Sequence, residues 1–249
     1  MNPAEFGHIR ASEENFWWYR GMRAILDRFV APYLEGRAIG RALEAGCGTG
    51  YQARLLQKDR GWRLVPLDYS REGLRFARAL GVQNPVQGDI RALPFAAEQF
   101  DLTLALDVIA HMRKGEEHVA ARELTRVTRP GGLLVVRTSA LDILRSRHSE
   151  YVLERQRFRR RRLMGLFTAA GIRVLRCTYL NSLLLPVALF RFRVWEPLTR
   201  QPAVSGVHPV SQWLDRLLFA PLACEAAWIG NGHDLPLGQS LLLVGEKMV

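Results

Sequence analysis

The stretch LEAGCGTGYQ, residues 43–52, decides how the chain reads. The apolar run RALEAG (41–46) leads into glycines at 46, 48 and 50, as a buried strand does when it ends in a turn that holds a ligand against its backbone. Glycine enters backbone conformations closed to other residues, and its missing side chain lets a ligand lie on the main chain. In the dinucleotide fingerprint G-x-G-x-x-G/A the last small residue lets helix and strand pack closely. Counting from Gly46, that place is held by the bulky Tyr51. Glu44, two residues before the first glycine, would repel a pyrophosphate. The turn therefore suits a ligand that carries positive charge and no phosphate.

Working outward, short apolar strands alternate with amphipathic helices, the pattern of an α/β fold with a parallel sheet covered on both faces. Strands are expected at 41–46, 63–68, around PVQGD, at 100–107 (buried on both faces), at LLVVRTS, at 172–180 and at SLLLVGEKM near the end of the chain. Helices are expected at 49–58, from a Ser70 cap to a stop at Gly81, and at 116–127 and 158–170. Pro130 with Gly131 and Gly132 predicts a turn into the fifth strand. We read 1–249 as one domain: an N-terminal helical lid (1–40), a cofactor-binding core (41–180), a helical insertion or cap (181–236) and the last strand (237–249). Within the insertion, residues 211–229 predict an amphipathic helix that Pro221 bends or breaks. Both flanking segments are candidate lids, because ligands bind at the strand-end crevice of open α/β sheets.

Composition excludes several classes. A 249-residue chain with 48% hydrophobic residues can bury its own core. Three widely spaced cysteines, Cys47, Cys177 and Cys224, match neither a disulfide framework nor a zinc knuckle and point to a reducing, cytoplasmic compartment. The first twenty residues carry charges and aromatics where a secretory signal needs an apolar run. The longest apolar stretch, residues 179–190, is interrupted by Asn181, Ser182 and Pro186 and falls short of the roughly 20 residues that span a bilayer. The formal charge of +11 suits an anionic partner, but the arginines are scattered apart from RQRFRRRR (155–162), and a solvated basic surface accounts for them equally. No zinc-finger or RNA-recognition pattern supports nucleic acid. Peripheral attachment to an anionic membrane, through 155–162 and LFRFRVW, is a further expectation.

The ordered set of motifs resembles the class I S-adenosylmethionine-dependent methyltransferases. LEAGCGTG looks like the family's first motif, hydrophobic-(Glu/Asp)-x-Gly-x-Gly-x-Gly; LVPLDYS, VQGDIRALPF, FDLTLALDVIAHM and VTRPGGLLVV resemble those that follow. The resemblance implies a Rossmann-like, doubly wound seven-stranded sheet, mostly parallel with an antiparallel C-terminal strand. It implies S-adenosylmethionine as methyl donor, S-adenosylhomocysteine as product, and no metal. Gly46, Cys47, Gly48 and Gly50 would form the cradle, with Cys47 given only a packing role, and Glu44 would lie near the cationic end of the cofactor. Asp68 at a strand end can accept from both hydroxyls of a ribose, or cap the next helix. Tyr69 offers a face to adenine. Asp89 would take the adenine amino group beside Ile90, or be a plain turn aspartate. Leu106 and Asp107 end the fourth strand against the cofactor. The methionine carboxylate needs a partner from outside these motifs, and the helix FWWYRGMR offers Tyr19 and Arg20, with Arg23 as substitute; the same aromatics could instead only staple that helix to the sheet.

Methyl transfer is an in-line displacement to which a protein adds positioning and exclusion of water, together ~7–11 kcal/mol in well-aligned systems. A hydroxyl or protonated amine also needs a base. His111, just past the fourth strand, titrates near neutrality and is the candidate, although a histidine opening a helix can simply bond a carbonyl. The other histidines, His8, His118, His148, His208 and His233, show no metal-ligand spacing; His8 or His233 would line the acceptor pocket if the flanking segments fold over it. DVIAHM lacks the Asp-Pro-Pro-Tyr-like clamp of amide-directed nucleic-acid enzymes, and the apolar insertion favours a small, hydrophobic or lipid-linked acceptor. An NAD(P)-dependent oxidoreductase and a non-catalytic binding protein of the same fold are the alternatives. These motifs distinguish neither the atom methylated nor the number of chains that assemble.

Overall fold

Alternation along the central strands sends side chains to two separate cores. The computed structural model describes all residues except 201, 208, 209 and 249. Its strands are β1 (Arg41–Ala45), β2 (Arg63–Asp68), β3 (Val86–Gln87), β4 (Phe100–Leu106), β5 (Thr128–Ser139), β6 (Ile172–Leu180) and β7 (Ser240–Lys247). They form one seven-stranded sheet in the order β3-β2-β1-β4-β5-β7-β6. β7 runs antiparallel to both β5 and β6, and the pairs among β1 to β5 are parallel. The strand order reverses between β1 and β4, which opens a crevice at their C-terminal ends.

The helices before the insertion are α1 (Glu5–Ser12), α2 (Trp17–Leu34), α3 (Tyr51–Arg60), α4 (Arg71–Ala79), α5 (Glu116–Val127), α6 (Arg147–Tyr151) and α7 (Arg160–Ala169). Leu134, Val136, Leu241 and Leu243 face α5 and α7, while Leu133, Val135, Leu242 and Val244 face α2 and α10 (Gln212–Gly230). This is the two-sided burial expected of a sheet covered by helices. Between β6 and α10 the insertion carries α8 (Leu185–Phe190), a π-helical turn (Arg191–Trp195) and α9 (Glu196–Thr199).

The expected elements are present, with two corrections. The Arg-Pro-Gly-Gly segment does not precede β5 as a separate turn. Pairing passes from Phe100↔Thr128 directly to Leu102↔Leu133, so residues 129–132 form a bulge inside the strand, with Gly131 at φ 72°. Nor does Pro221 break α10, which continues to Gly230. An internal proline costs roughly 3 kcal/mol, and the long packing of α10 on α2 offsets it. There Gly21 lies so close to Leu222 that a Cβ would come within 2.3 Å of its Cδ1.

Two polar ties hold the flanking segments over the crevice. Asp215 of α10 accepts from Trp17 N at 2.7 Å and from Arg20 Nη1 at 2.7 Å, and the Ser205 hydroxyl bonds Glu5 Oε1 at 3.1 Å. At the base of the insertion, buried Glu225 accepts from the backbone N–H groups of Asn181 and Leu183, each at 2.7 Å.

Gly50 opens α3 at φ 82°, and a Cβ there would stand 2.6 Å from Ala77 Cβ of α4. Both strain and overlap oppose any side chain. Gly50→Ala is expected to cost ~1–3 kcal/mol, seen as a lower midpoint in chemical denaturation; an unchanged midpoint would refute this packing.

Candidate functional site

The crevice is a cavity of about 1170 Å³ whose walls come from the sheet, from α1 and α2, and from the insertion. Small-molecule sites run from roughly 300 to 1,000 Å³, so this space can hold a nucleoside-sized ligand and a second molecule beside it. On the sheet side lie Glu44, Gly46, Cys47, Gly48, Asp68, Tyr69, Asp89, Ile90, Leu106, Asp107 and His111; from the N-terminal helices come Glu5, Phe6, Glu13, Tyr19 and Arg23. Gly50 sits behind them, at the start of α3.

The loop is built from backbone bonds that glycine alone accommodates. Gly46 has φ 90°, and a Cβ on it would overlap Val108 Cγ2 at 2.1 Å. Gly46 N and Cys47 N both donate to Leu67 O, at 2.6 and 2.9 Å, and Gly48 N donates to Asp68 Oδ2 at 2.8 Å. Asp68 Oδ1 accepts from Ser70 N at 2.7 Å. The capping role and a ligand role are therefore compatible, since each oxygen accepts one backbone bond and retains a second lone pair. Burial raises the Asp68 pKa, and the two backbone bonds oppose that rise.

Behind the loop lies a pair of buried acids, of which Glu13 has only a long ion pair, to Arg10 at 3.6 Å. Glu44 is 3% exposed and its Oε2 has no hydrogen-bond partner. Burial first, and then the negative charge of Asp68, push its pKa up to about 8, against the pull of Arg137. Glu13, at the end of α1, is raised to about 7, chiefly by burial, and its Oε2 accepts from the Thr49 hydroxyl. Sequence reading passed over Glu13, because an acidic pair after a short helix looks like solvated surface.

Arg20 does not reach the cavity. It pairs with Asp215 and lies over the Phe219 ring, 4.3 Å from its centroid. Arg23 takes the place facing the loop: Nη1 and Nη2 bond Glu13 O and Glu14 O at 2.6 and 3.0 Å, and the guanidinium covers Tyr51 at 5.0 Å. Tyr19 lines the cavity, packed edge-on against Trp18, and burial raises the pKa of its phenol. Residues 19 and 23 are one helical turn apart and share a face, which residue 20 does not.

Asp107 adopts φ 60°, and its Oδ2 accepts from Arg137 Nε and Nη2 at 2.9 and 2.6 Å. Arg137 is thus a buried cation behind the site, unremarked in the sequence although a charge inside LLVVRTS requires a buried partner. Asp89 is engaged by Arg91, whose Nη2 lies 2.6 Å from Oδ2, and this pairing lowers the Asp89 pKa. Tyr69 is 73% exposed at the cavity rim, while Ile90 and Cys47 are buried. Burial carries the Cys47 thiol well above its usual range.

His111 closes a short 3₁₀ turn (Ile109–His111) after β4. Its Nδ1 lies 3.4 Å from Leu153 O, and burial lowers its pKa. With Nδ1–H donating to that carbonyl, Nε2 keeps a free lone pair at neutral pH. His8 and His233 are not in the cavity wall; His233 stacks on Trp228, and His148 lines the cavity instead, accepting from Gly206 N at 2.8 Å. His208 lies outside the described residues. Among the described residues, no His, Cys, Asp and Glu side chains gather as a metal-holding group. Within the basic run, Arg157 pairs with Glu154, Arg160 with Asp234 and Arg162 with Glu117.

Residues 43–136, which hold the glycine loop, Asp68, Asp89 and His111, match the methyltransferase domain family model. That stretch is a methyltransferase domain of the class I S-adenosylmethionine-dependent kind. Among curated relatives of this family the chain is 38% identical over 112 residues to the malonyl-[acyl-carrier protein] O-methyltransferase of Enterobacter lignolyticus, covering 45% of this chain and 43% of that protein. It is 34% identical over 129 residues to a probable S-adenosylmethionine-dependent methyltransferase of Mycolicibacterium smegmatis, 51% and 47% of the two chains. The chain thus spans about half the length of the curated relatives it matches. A solved structure of a putative sarcosine dimethylglycine methyltransferase from Galdieria sulphuraria shares the fold, with TM-score 0.60, 15% identity and coverage of 91% and 86%. The residues present in this cavity fit a sulfonium-bearing nucleoside. A buried carboxylate oxygen at Glu44 lacks a partner, Asp68 has two acceptor positions left, and the loop admits no Cβ at Gly46.

Proposed function

We propose that the protein transfers a methyl group from S-adenosylmethionine to a small, hydrophobic or lipid-linked acceptor. The observation that carries this reading is the single cavity joining the glycine loop and Asp68 to His111 beneath the N-terminal helices and the insertion. When bound, the cofactor supplies an electrophilic methyl group. Asp68 would accept from the ribose hydroxyls and Glu44 would face the cationic end. Tyr19 and Arg23 would receive the amino-acid carboxylate, and Tyr69 and Ile90 would flank the adenine. Asp107, fixed by Arg137, shapes the strand end.

The acceptor would occupy the remaining volume, between His111 and the insertion. Leu184, Val187, Ala188 and Phe192 supply an apolar wall there, with Arg155, Arg157 and Arg191 nearby for an anionic group. His111, neutral and pinned through Nδ1, would remove the proton of a hydroxyl or amine at Nε2. The relative from Enterobacter lignolyticus, named for a carrier-bound acyl substrate, supports a lipid-linked acceptor. The test is transfer of labelled methyl from S-adenosylmethionine into pools of hydrophobic acids, phenols and acyl-carrier conjugates. Label should enter a hydrophobic pool. Tight NADH binding without any response to S-adenosylmethionine would overturn the reading in favour of an oxidoreductase.

Glu44 adds a pH dependence with a definite sign. A nearby cation requires the carboxylate, whereas the ligand-free protein holds the proton up to about pH 8. S-adenosylmethionine affinity should therefore climb with pH to about 8, with proton release on binding. Stability of the ligand-free protein runs the opposite way. The folded state keeps a proton that the unfolded chain gives up near 4.5, so stability present below that pH is lost as pH rises through about 8. Glu44→Gln should raise the melting temperature at pH 8 and flatten the affinity profile in calorimetry. A lower melting temperature in that variant would contradict the assignment.

A further inference from the structure

Five large apolar side chains recur at intervals of four, three, four and four residues along the insertion, and all of them face solvent: Leu183, Val187, Phe190, Val194 and Leu198, exposed by 42–76%. The helical stretch 185–199 runs through α8, the π-helical turn and α9, so these spacings place Val187, Phe190, Val194 and Leu198 on one stripe, with Leu183 in the turn just before it. The intervening residues do the opposite. Leu184 and Ala188 are buried, and Arg191, Phe192 and Glu196 join them in the cavity wall, with Glu196 Oε2 holding Arg147 N at 2.9 Å. The segment therefore meets the protein through Leu184, Ala188, Phe192 and Glu196 while its apolar stripe looks outward.

Trp195, 52% exposed, stands beside the stripe, and Arg191, Arg193 and Arg200 are exposed around it. A helix with Trp, Phe and Leu on one face and arginines at its flanks has the chemistry of a segment that lies in the headgroup layer of an anionic bilayer. There apolar side chains enter the acyl boundary, an indole sits at the interface and guanidinium groups meet phosphate. At fifteen residues the helix is too short to cross a membrane, which takes roughly 20. The charge of the whole chain, +11, has the matching sign.

We infer that residues 183–200 form an interfacial anchor that seats the protein on an anionic membrane surface, with the stripe inserted and the cavity mouth at Val187 against the bilayer. In the basic run 155–162, Arg157, Arg160 and Arg162 are engaged in internal pairs, so we assign the anchor to the stripe and not to that run. This docking is independent of the cofactor assignment, because none of the stripe residues other than Val187 lines the cavity.

The test is sedimentation of the full chain with vesicles of phosphatidylcholine alone or mixed with phosphatidylglycerol, alongside S-adenosylhomocysteine calorimetry and light scattering of the same samples. The wild type should sediment with the mixed vesicles, less so as salt rises. The exposed-site variant Phe190→Glu/Leu198→Glu should lose at least tenfold in partitioning while melting normally and keeping its S-adenosylhomocysteine affinity. Arg193→Gln should weaken binding less, and Arg159→Gln/Arg161→Gln should leave it unchanged. Equal sedimentation of the stripe variant and the wild type would overturn the inference, as would loss confined to the 159/161 variant. A dimer dissolved by the stripe substitutions, without vesicle binding, would assign the face to a second copy of this chain and likewise overturn it.

Discussion

Asp68→Ala should weaken S-adenosylhomocysteine binding about a hundredfold while leaving the fold intact. Its two oxygens end β2 at the crevice, each accepting one backbone N–H and each retaining a lone pair toward the cavity. Two hydrogen bonds from ribose hydroxyls to a charged acceptor contribute about 3 kcal/mol together, and 1.4 kcal/mol is a tenfold change in affinity. Removing the carboxylate also frees Gly48 N and Ser70 N, so part of the loss comes through a loosened glycine loop. Asp68→Asn separates the two effects. It preserves side-chain size and one acceptor oxygen, and should fall between wild type and Asp68→Ala. Calorimetry beside a thermal melt checks this. An alanine variant that binds as tightly as wild type would remove Asp68 from the ribose.

His111→Ala should reduce turnover by ~10²–10⁴, the range for loss of a positioned base, with S-adenosylhomocysteine affinity unchanged. Burial holds the imidazole below its ordinary value of 6.5, so it is neutral and able to accept a proton at pH 7. Turnover of the wild type should fall on the acid side of 6.5 as the ring becomes protonated, and the variant should lose that limb. A variant with near-normal turnover would mean that the acceptor atom, like a carboxylate, carries no proton to remove. His111 would then be a wall of the acceptor site and not its base.

Backbone-driven features of this fold were legible because few residues satisfy them. Glycines spaced by two after an apolar strand leave little choice of turn, and the bulk of Tyr51 set the site apart from a dinucleotide pocket before any coordinates. Asp68, Asp89 and His111 were placed at strand ends by counting alone. What escaped depends on which way a side chain turns once helices pack. Arg20 and Arg23 are equally basic neighbours in sequence, yet Asp215, almost two hundred residues away, captures the first and leaves the second to the cavity. Glu13 became a site residue because α1 folds down on Thr49. Arg137 sits in an apolar strand, and its partner Asp107 was assigned to the cofactor without regard to the cation behind it. Pro221 shows the reverse limit: a local breaker is overridden by a helix–helix contact that no local pattern reports.

The central claim is that the loop after β1, together with Glu44 and Asp68, cradles a sulfonium-bearing nucleoside. A crystal structure of the protein grown with saturating S-adenosylhomocysteine tests it most directly. The account predicts the ribose hydroxyls on Asp68, the amino-acid end between Glu44 and Arg23, and the adenine beside Tyr69 and Ile90. A nucleoside bound elsewhere on the molecule, or a ribose out of hydrogen-bonding reach of Asp68, would contradict it.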